Sequence, residues 1–291
     1  MCLRSHQLNL QQAGGPTLRA PTGRPAEDLQ RGDGVLEAGR YKEGLREHAR
    51  GLAEAASGSD PSTRVPTCPE WTLQDLVGHV GQGYLWAADL VRTGGTDVID
   101  GLPRTVPDSP AAWPAWLRDG AEQLIAAVEA KPDETVDHPL LGAWPTVMWL
   151  RRMANETAVH HADAALAAGT PFTVAPGLAG DVITEFLGLL TAPTAAAQKP
   201  ELAELRGTGE TLRLRPAEPS LPGWLITRMP DGPVFEEGAG EGASGADMTV
   251  AGPVQELLLV FARRLAPADA AGLKVTGDAS LLDHWLAHTA V

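Results

Sequence analysis

Residues Thr146–Ala168 read TVMWLRRMANETAVHHADAALAA, a stretch without Gly or Pro that stops at Gly169. It predicts one long helix with a glycine stop. Within it, Glu156 and His160 stand four residues apart, so both side chains leave one face. Two ligands on neighbouring turns can converge on one cation, and imidazole with carboxylate suits zinc. Spacing alone fits a solvated ion pair equally well. The stretch is not the H-E-x-x-H helix of zinc proteases, because no two histidines here are four apart. His161 points about 100° away from His160 and reads as a pocket residue or a surface one. Asp163 either orients the His160 imidazole or is a surface carboxylate paired with Arg152.

Upstream, Thr72–Gly95 reads TLQDLVGHVGQGYLWAADLVRTGG. Thr72 with Asp75 resembles a capping box, with Asp in place of the usual Glu or Gln. Leu73, Leu76, Val77, Val80, Tyr84 and Leu85 form an apolar stripe, and the glycine pair ends the helix. His79 sits beside that stripe between Gly78 and Gly81, small residues that would admit a second helix. A lone histidine on such a face is more often packed core than ligand. Yet a third ligand from another helix is what the Glu156–His160 pair would require. Three protein ligands and an open position make a catalytic metal arrangement.

Further helices are predicted over Val35–Ala56, about Ala111–Ala130 and about Gly177–Ala195, a bundle-like series. Near residue 198 the pattern changes. TLRLRP, GWLITRM, DMTVAG and LKVTGD read as strands, EEGAGEGASGA as a loop, and PVQELLLVFARRL and SLLDHWLAHTA as helices. The fold class is therefore a helical bundle over 35–200 followed by a small α+β domain over 203–291. Residues 1–34 are polar and rich in Gly, Pro and Arg, and are expected to be a disordered or loosely packed extension.

The net charge of −14 over 291 residues argues against nucleic acid and against an anionic membrane surface as partners. No apolar run reaches the roughly 20 residues of a membrane span. Two cysteines make no disulfide framework, and no signal-peptide pattern opens the chain, so a cytoplasmic location is expected.

Val65–Gly81, VPTCPEWTLQDLVGHVG, and Trp149–Ala164, WLRRMANETAVHHADA, together resemble the actinobacterial mycothiol-dependent maleylpyruvate isomerase family. Its N-terminal domain is a DinB-like metal-binding four-helix bundle. Gly223-Trp224, Leu257 through Leu265 and Val275 through Trp285 resemble the family's sterol-carrier-like C-terminal domain. The resemblance implies zinc, or another divalent metal, on His79, Glu156 and His160, with mycothiol as cofactor. Coordination lowers the pKa of a thiol and presents it as thiolate. The implied reaction is cis–trans isomerisation of a maleyl-type double bond, or transfer of the thiol to a small electrophile. The implied substrate is a small carboxylate or electrophile. An arginine of the C-terminal domain is expected to hold carboxylate; Arg263, neighboured by Arg264, matches it. Arg263 and His161 are thus the candidate catalytic side chains, and Arg263 and Trp86 the candidate cofactor contacts. The chain departs from the family pattern at Asn155, where His is common, and at His161, where Arg is common. Two other readings fit the same residues: a thiol-independent hydrolase using metal-bound water, and a non-catalytic, metal-stabilised ligand-binding module.

Overall fold

The structure is a computed structural model that describes residues 36–95, 106–138, 142–192, 195–238 and 245–289. The expectation for residues 1–34 lies outside them. Four long helices pack as a bundle: α1 (Ala38–Ser57), α2 (Leu73–Thr93), α3 (Trp113–Glu129) and α4 (Thr146–Ala168). The start of α2 is set by its capping box. Thr72 Oγ1 accepts from the Asp75 amide, and Asp75 Oδ2 accepts from the Thr72 amide. Both α2 and α4 end on left-handed glycines, Gly94 (φ 78°) and Gly169 (φ 66°), as the sequence predicts. Helix α1 is amphipathic, with Leu45 and Leu52 in the core. Helix α4 is buried nearly all round, because it touches α1, α2, α3 and the helix Pro176–Thr191. It therefore carries buried polar groups, His160 among them, and Arg151, Asn155 and Asp163 find partners on other elements.

Two short antiparallel hairpins interrupt the bundle. One joins β1 (Arg64–Val65) to β2 (Cys68–Thr72), in the linker whose prolines argue only against helix. The other joins β3 (Thr135–His138) to β4 (Gly142–Pro145). Neither has enough alternating apolar residues to be legible as strand.

Helix α5 (Pro176–Thr191) leaves the bundle. It stops four residues before its expected end, where Ala192, extended at ψ 139°, precedes Pro193. It packs on the helix Val254–Phe261 and the strand Gly232–Glu237. A short helix α6 (Ala195–Gln198) leads to the sheet.

The sheet has five strands: β5 (Thr211–Pro216), β6 (Trp224–Met229), β7 (Gly232–Glu237), β8 (Met248–Gly252) and β9 (Lys274–Gly277). Their order is β7-β6-β5-β8-β9. Only β5 and β8 run parallel among these neighbours. The register places Leu212 between Ile226 and Met248, and Leu214 between Trp224 and Val250. All six are buried on one face, under α7 (Val254–Phe261) and α8 (Ala279–His288). Strand β7 is absent from the sequence reading because Gly232 and Pro233 argue against it. It is an edge strand, where a missing amide donor is tolerated. Helix α7 ends at Phe261, not at Leu265 as the apolar pattern suggests. Arg263 takes a left-handed φ of 62°, and the Arg264 and Leu265 amides both donate back to the Leu259 carbonyl. The fold is thus a helical bundle followed by a sheet-containing α+β domain.

Candidate metal centre

His79 comes from α2, and Glu156 and His160 from successive turns of α4. Their ligand atoms all lie within 4.8 Å of one another. Glu156 Oε1 is 3.2 Å from His160 Nε2 and 3.6 Å from His79 Nε2. Tetrahedral zinc with bonds near 2.05 Å has ligand–ligand edges of about 3.3 Å. The two separations from Glu156 bracket that value, so this carboxylate can share an ion of this size with each imidazole. His160 is fully buried, whereas the His79 and Glu156 side chains are 27% and 13% exposed. The cluster therefore opens on the His79–Glu156 side. The Trp71 ring lies 4.8 Å from that of His79 and walls the opening.

Gly81 plays a different part from the one the spacing suggests. A methyl group there would overlap Trp116 of α3, and one at Gly78 would overlap Val106. These glycines admit α3 and the residues before it; α4 reaches His79 without them.

The ligands are held from behind. Asp163, fully buried, lies 2.8 Å from His160 Nδ1. A proton on Nδ1 donated to that carboxylate leaves Nε2 as the ligand atom. Asp163 also accepts two bonds of 2.8 Å from Arg264 and one of 2.6 Å from Thr67 Oγ1, in the β1–β2 turn. Burial would raise the Asp163 carboxyl; Arg264 and His160 outweigh it and hold it below its ordinary range. Glu156 shows the same balance. Burial raises it, but Arg152, with His160 and His79, keeps it well below the usual carboxylate value. Burial lowers the His79 imidazole and favours its neutral, ligating form.

Behind the centre, a polar network crosses from α4 to α5 and α1. Arg152 bridges Glu156 to Glu185 of α5. Asn155 donates to Asp181 at 2.8 Å and to Glu185 at 3.3 Å. Asp181 also pairs with Arg151 at 2.9 Å and accepts from the Tyr41 hydroxyl of α1 at 2.9 Å. Burial raises the Glu185 carboxyl against the pull of both arginines. Beside this network a cleft opens between α4, α5 and the end of α7, with Glu156, Arg152, Glu185 and Arg264 at its polar end.

The other candidate residues lie elsewhere. Arg263 is exposed and does not line the cleft; the left-handed turn at its own Cα sends Arg264 inward instead. Trp86 stacks edge-on against Trp149 at 5.2 Å, as packing between α2 and α4. His161 points toward α1, where its Nδ1 lies 3.0 Å from His48 Nδ1, with the Phe172 ring 5.1 Å away. Sequence reasoning missed Thr67, Glu185 and His48. For Glu185 a signal existed: it is a lone carboxylate within the apolar run VITEFLGLL.

The His48–His161 pair has a consequence for stability. Burial, and then the charge of His161, push His48 down to about 3; burial also lowers His161 to about 4. An unfolded histidine titrates near 6.5, so below that pH the unfolded chain binds a proton that the folded chain refuses. The contribution of His48 is complete above about pH 6.5 and is lost as pH falls toward 3, at about 1.4 kcal/mol per unit. Urea unfolding at pH 7 and pH 5 should differ by about 2 kcal/mol more in the wild type than in His48→Phe. Equal differences would contradict this account.

Comparison with known proteins adds the following. Residues 42–165 match the family model described as the mycothiol maleylpyruvate isomerase N-terminal domain. The crystal structure of a histidine-to-alanine mutant of the mycothiol-dependent maleylpyruvate isomerase is similar at a TM-score of 0.50 and 14% identity, over 87% of this chain and 96% of that one. At that identity the likeness is one of fold alone. Another structure of the mycothiol-dependent maleylpyruvate isomerase gives 0.47 at 15% identity, over 87% and 96% of the two chains. The ubiquinone synthesis protein UbiJ-SCP2 gives 0.30 at 21% identity, over 40% and 93%. No curated protein matches the chain.

Proposed function

We propose, from the match of residues 42–165 to the family model described as the mycothiol maleylpyruvate isomerase N-terminal domain, that the protein is a metal-dependent enzyme that uses a low-molecular-weight thiol, mycothiol, as nucleophile. Its reaction is isomerisation of the maleylpyruvate isomerase kind, or transfer of the thiol to a small electrophile. The observation that carries this reading is the convergence of His79, Glu156 and His160, of which Glu156 also lines the cleft.

The three side chains would hold zinc or a similar divalent ion. When bound there, such an ion acts as a Lewis acid that lowers the pKa of a coordinated thiol. The chain's own residues set the conditions. Asp163 keeps the His160 proton on Nδ1 and its lone pair toward the centre. Arg152 keeps Glu156 ionised and in place. Trp71 and the apolar cleft walls exclude water from the reacting groups. The partners are small molecules. No helix among the described residues is long and apolar enough to cross a membrane, and we place the activity in the cytoplasm.

The test is metal analysis of the purified protein, followed by calorimetry with mycothiol. One divalent ion per chain is expected, with thiol binding that disappears when the ion is stripped. Protein that holds no stoichiometric metal, even after zinc titration, would overturn the reading.

A further inference from the structure

The walls of the cleft differ from what a small dicarboxylate requires. Val159 of α4, Val182 and Phe186 of α5, and Leu258 and Phe261 of α7 line it with hydrocarbon. Both arginines that reach it are already engaged. Arg152 faces Glu156 and Glu185, and Arg264 meets both oxygens of Asp163 and the Ala262 carbonyl. Both guanidiniums are thus matched by carboxylates of the protein itself, and neither is left to pair with an anionic ligand. Among the described residues, the buried acceptors Glu185 Oε1 and Asn155 Oδ1 have no hydrogen-bond partner. Both belong to residues that line the cleft. A buried acceptor without a donor is a cost that a ligand hydroxyl or N–H relieves.

From this we infer that the cleft takes a neutral, largely apolar molecule that carries a hydroxyl or N–H donor, and that this molecule is the electrophilic substrate. The assignment as substrate rests on the metal–thiol reading above; the assignment of the cleft's ligand class does not. A dicarboxylate would surrender its hydration to a site whose guanidiniums are spoken for. An uncharged hydrocarbon body gains from burial against the same walls. The composition, mostly apolar with a few polar groups at one end, is that of a site for a small organic molecule.

The experiment compares 4-phenylbutan-1-ol with 4-phenylbutanoate, two probes on one carbon skeleton, by calorimetry on the full-length metal-loaded protein. The alcohol is expected to bind at least about tenfold more tightly. Its affinity should fall about tenfold or more in Phe186→Glu, and in Leu189→Glu should the first variant not fold by circular dichroism; both positions are half-buried. A carboxylate that binds as tightly as the alcohol, or alcohol binding indifferent to the wall variants, would overturn the inference. Repeating the series on metal-stripped protein separates the two readings. Retained alcohol preference in a protein without metal or thiol affinity sinks the proposed chemistry and leaves the cleft assignment standing. Intact metal and thiol binding without the preference does the reverse.

Discussion

His160→Ala is expected to lose stoichiometric metal, and Asp163→Asn to keep it with about 10- to 100-fold lower affinity. The grading follows from the geometry. His160 supplies a ligand atom, and Glu156 with His79 alone leaves two ligands where zinc needs three or more from protein. Asp163 supplies none, but it fixes which imidazole nitrogen carries the proton. An asparagine can present its amide to His160 in two ways, and one of them places the proton on the ligating nitrogen. The same change leaves Arg264 without its charge partner, although its side chain is only 6% exposed. Competition with a chromogenic chelator measures both affinities. Unchanged affinity in Asp163→Asn would show that the carboxylate does not orient the ligand. Retained stoichiometric metal in His160→Ala would remove His160 from the centre.

A comparable effect on stability is expected at Asp181. This carboxylate, 3% exposed, meets Arg151, Asn155 and Tyr41. Asp181→Ala leaves the Arg151 guanidinium buried without its principal counter-charge. Removing one partner of a buried pair costs about 3–5 kcal/mol. Replacing both members by hydrocarbon of similar size is often neutral. Arg151→Met with Asp181→Leu should therefore recover much of the loss, and only part of it, because Asn155 and Tyr41 would still lack an acceptor. Urea unfolding at pH 7 distinguishes these outcomes. A loss below about 1 kcal/mol in Asp181→Ala would mean that the network does not hold α5 to the bundle.

The two predictions concern one feature of α4. A helix touched by neighbours on most sides brings polar groups into the interior, and most of them take a partner from another element. Asp163 collects its partners from the β1–β2 turn and from the residue beyond Arg263; Asp181 collects its own from α1 and α4. The candidate centre is thereby tied to three parts of the chain distant in sequence.

Local chemistry was legible from residues alone. The Thr72–Asp75 cap, the glycine stops at Gly94 and Gly169, and the sharing of one face by Glu156 and His160 depend on spacing within a few residues. Strands β5, β6 and β8 were legible from their apolar patterns, whereas β7 was hidden because its proline is tolerable only at an edge, a position set by the whole sheet. The approach of His79 to the α4 pair was suggested by family resemblance, not by spacing, since no local rule says which helices pack together. Only the tertiary structure decided the surroundings of the site. A left-handed turn at Arg263 put Arg264, not its neighbour, on Asp163. The rotation of about 100° from His160 turned His161 toward His48 of α1. Side-chain direction inside a helix follows from a fixed period. The partner waiting in that direction follows from packing of elements far apart in the chain, and that is where the sequence by itself falls silent.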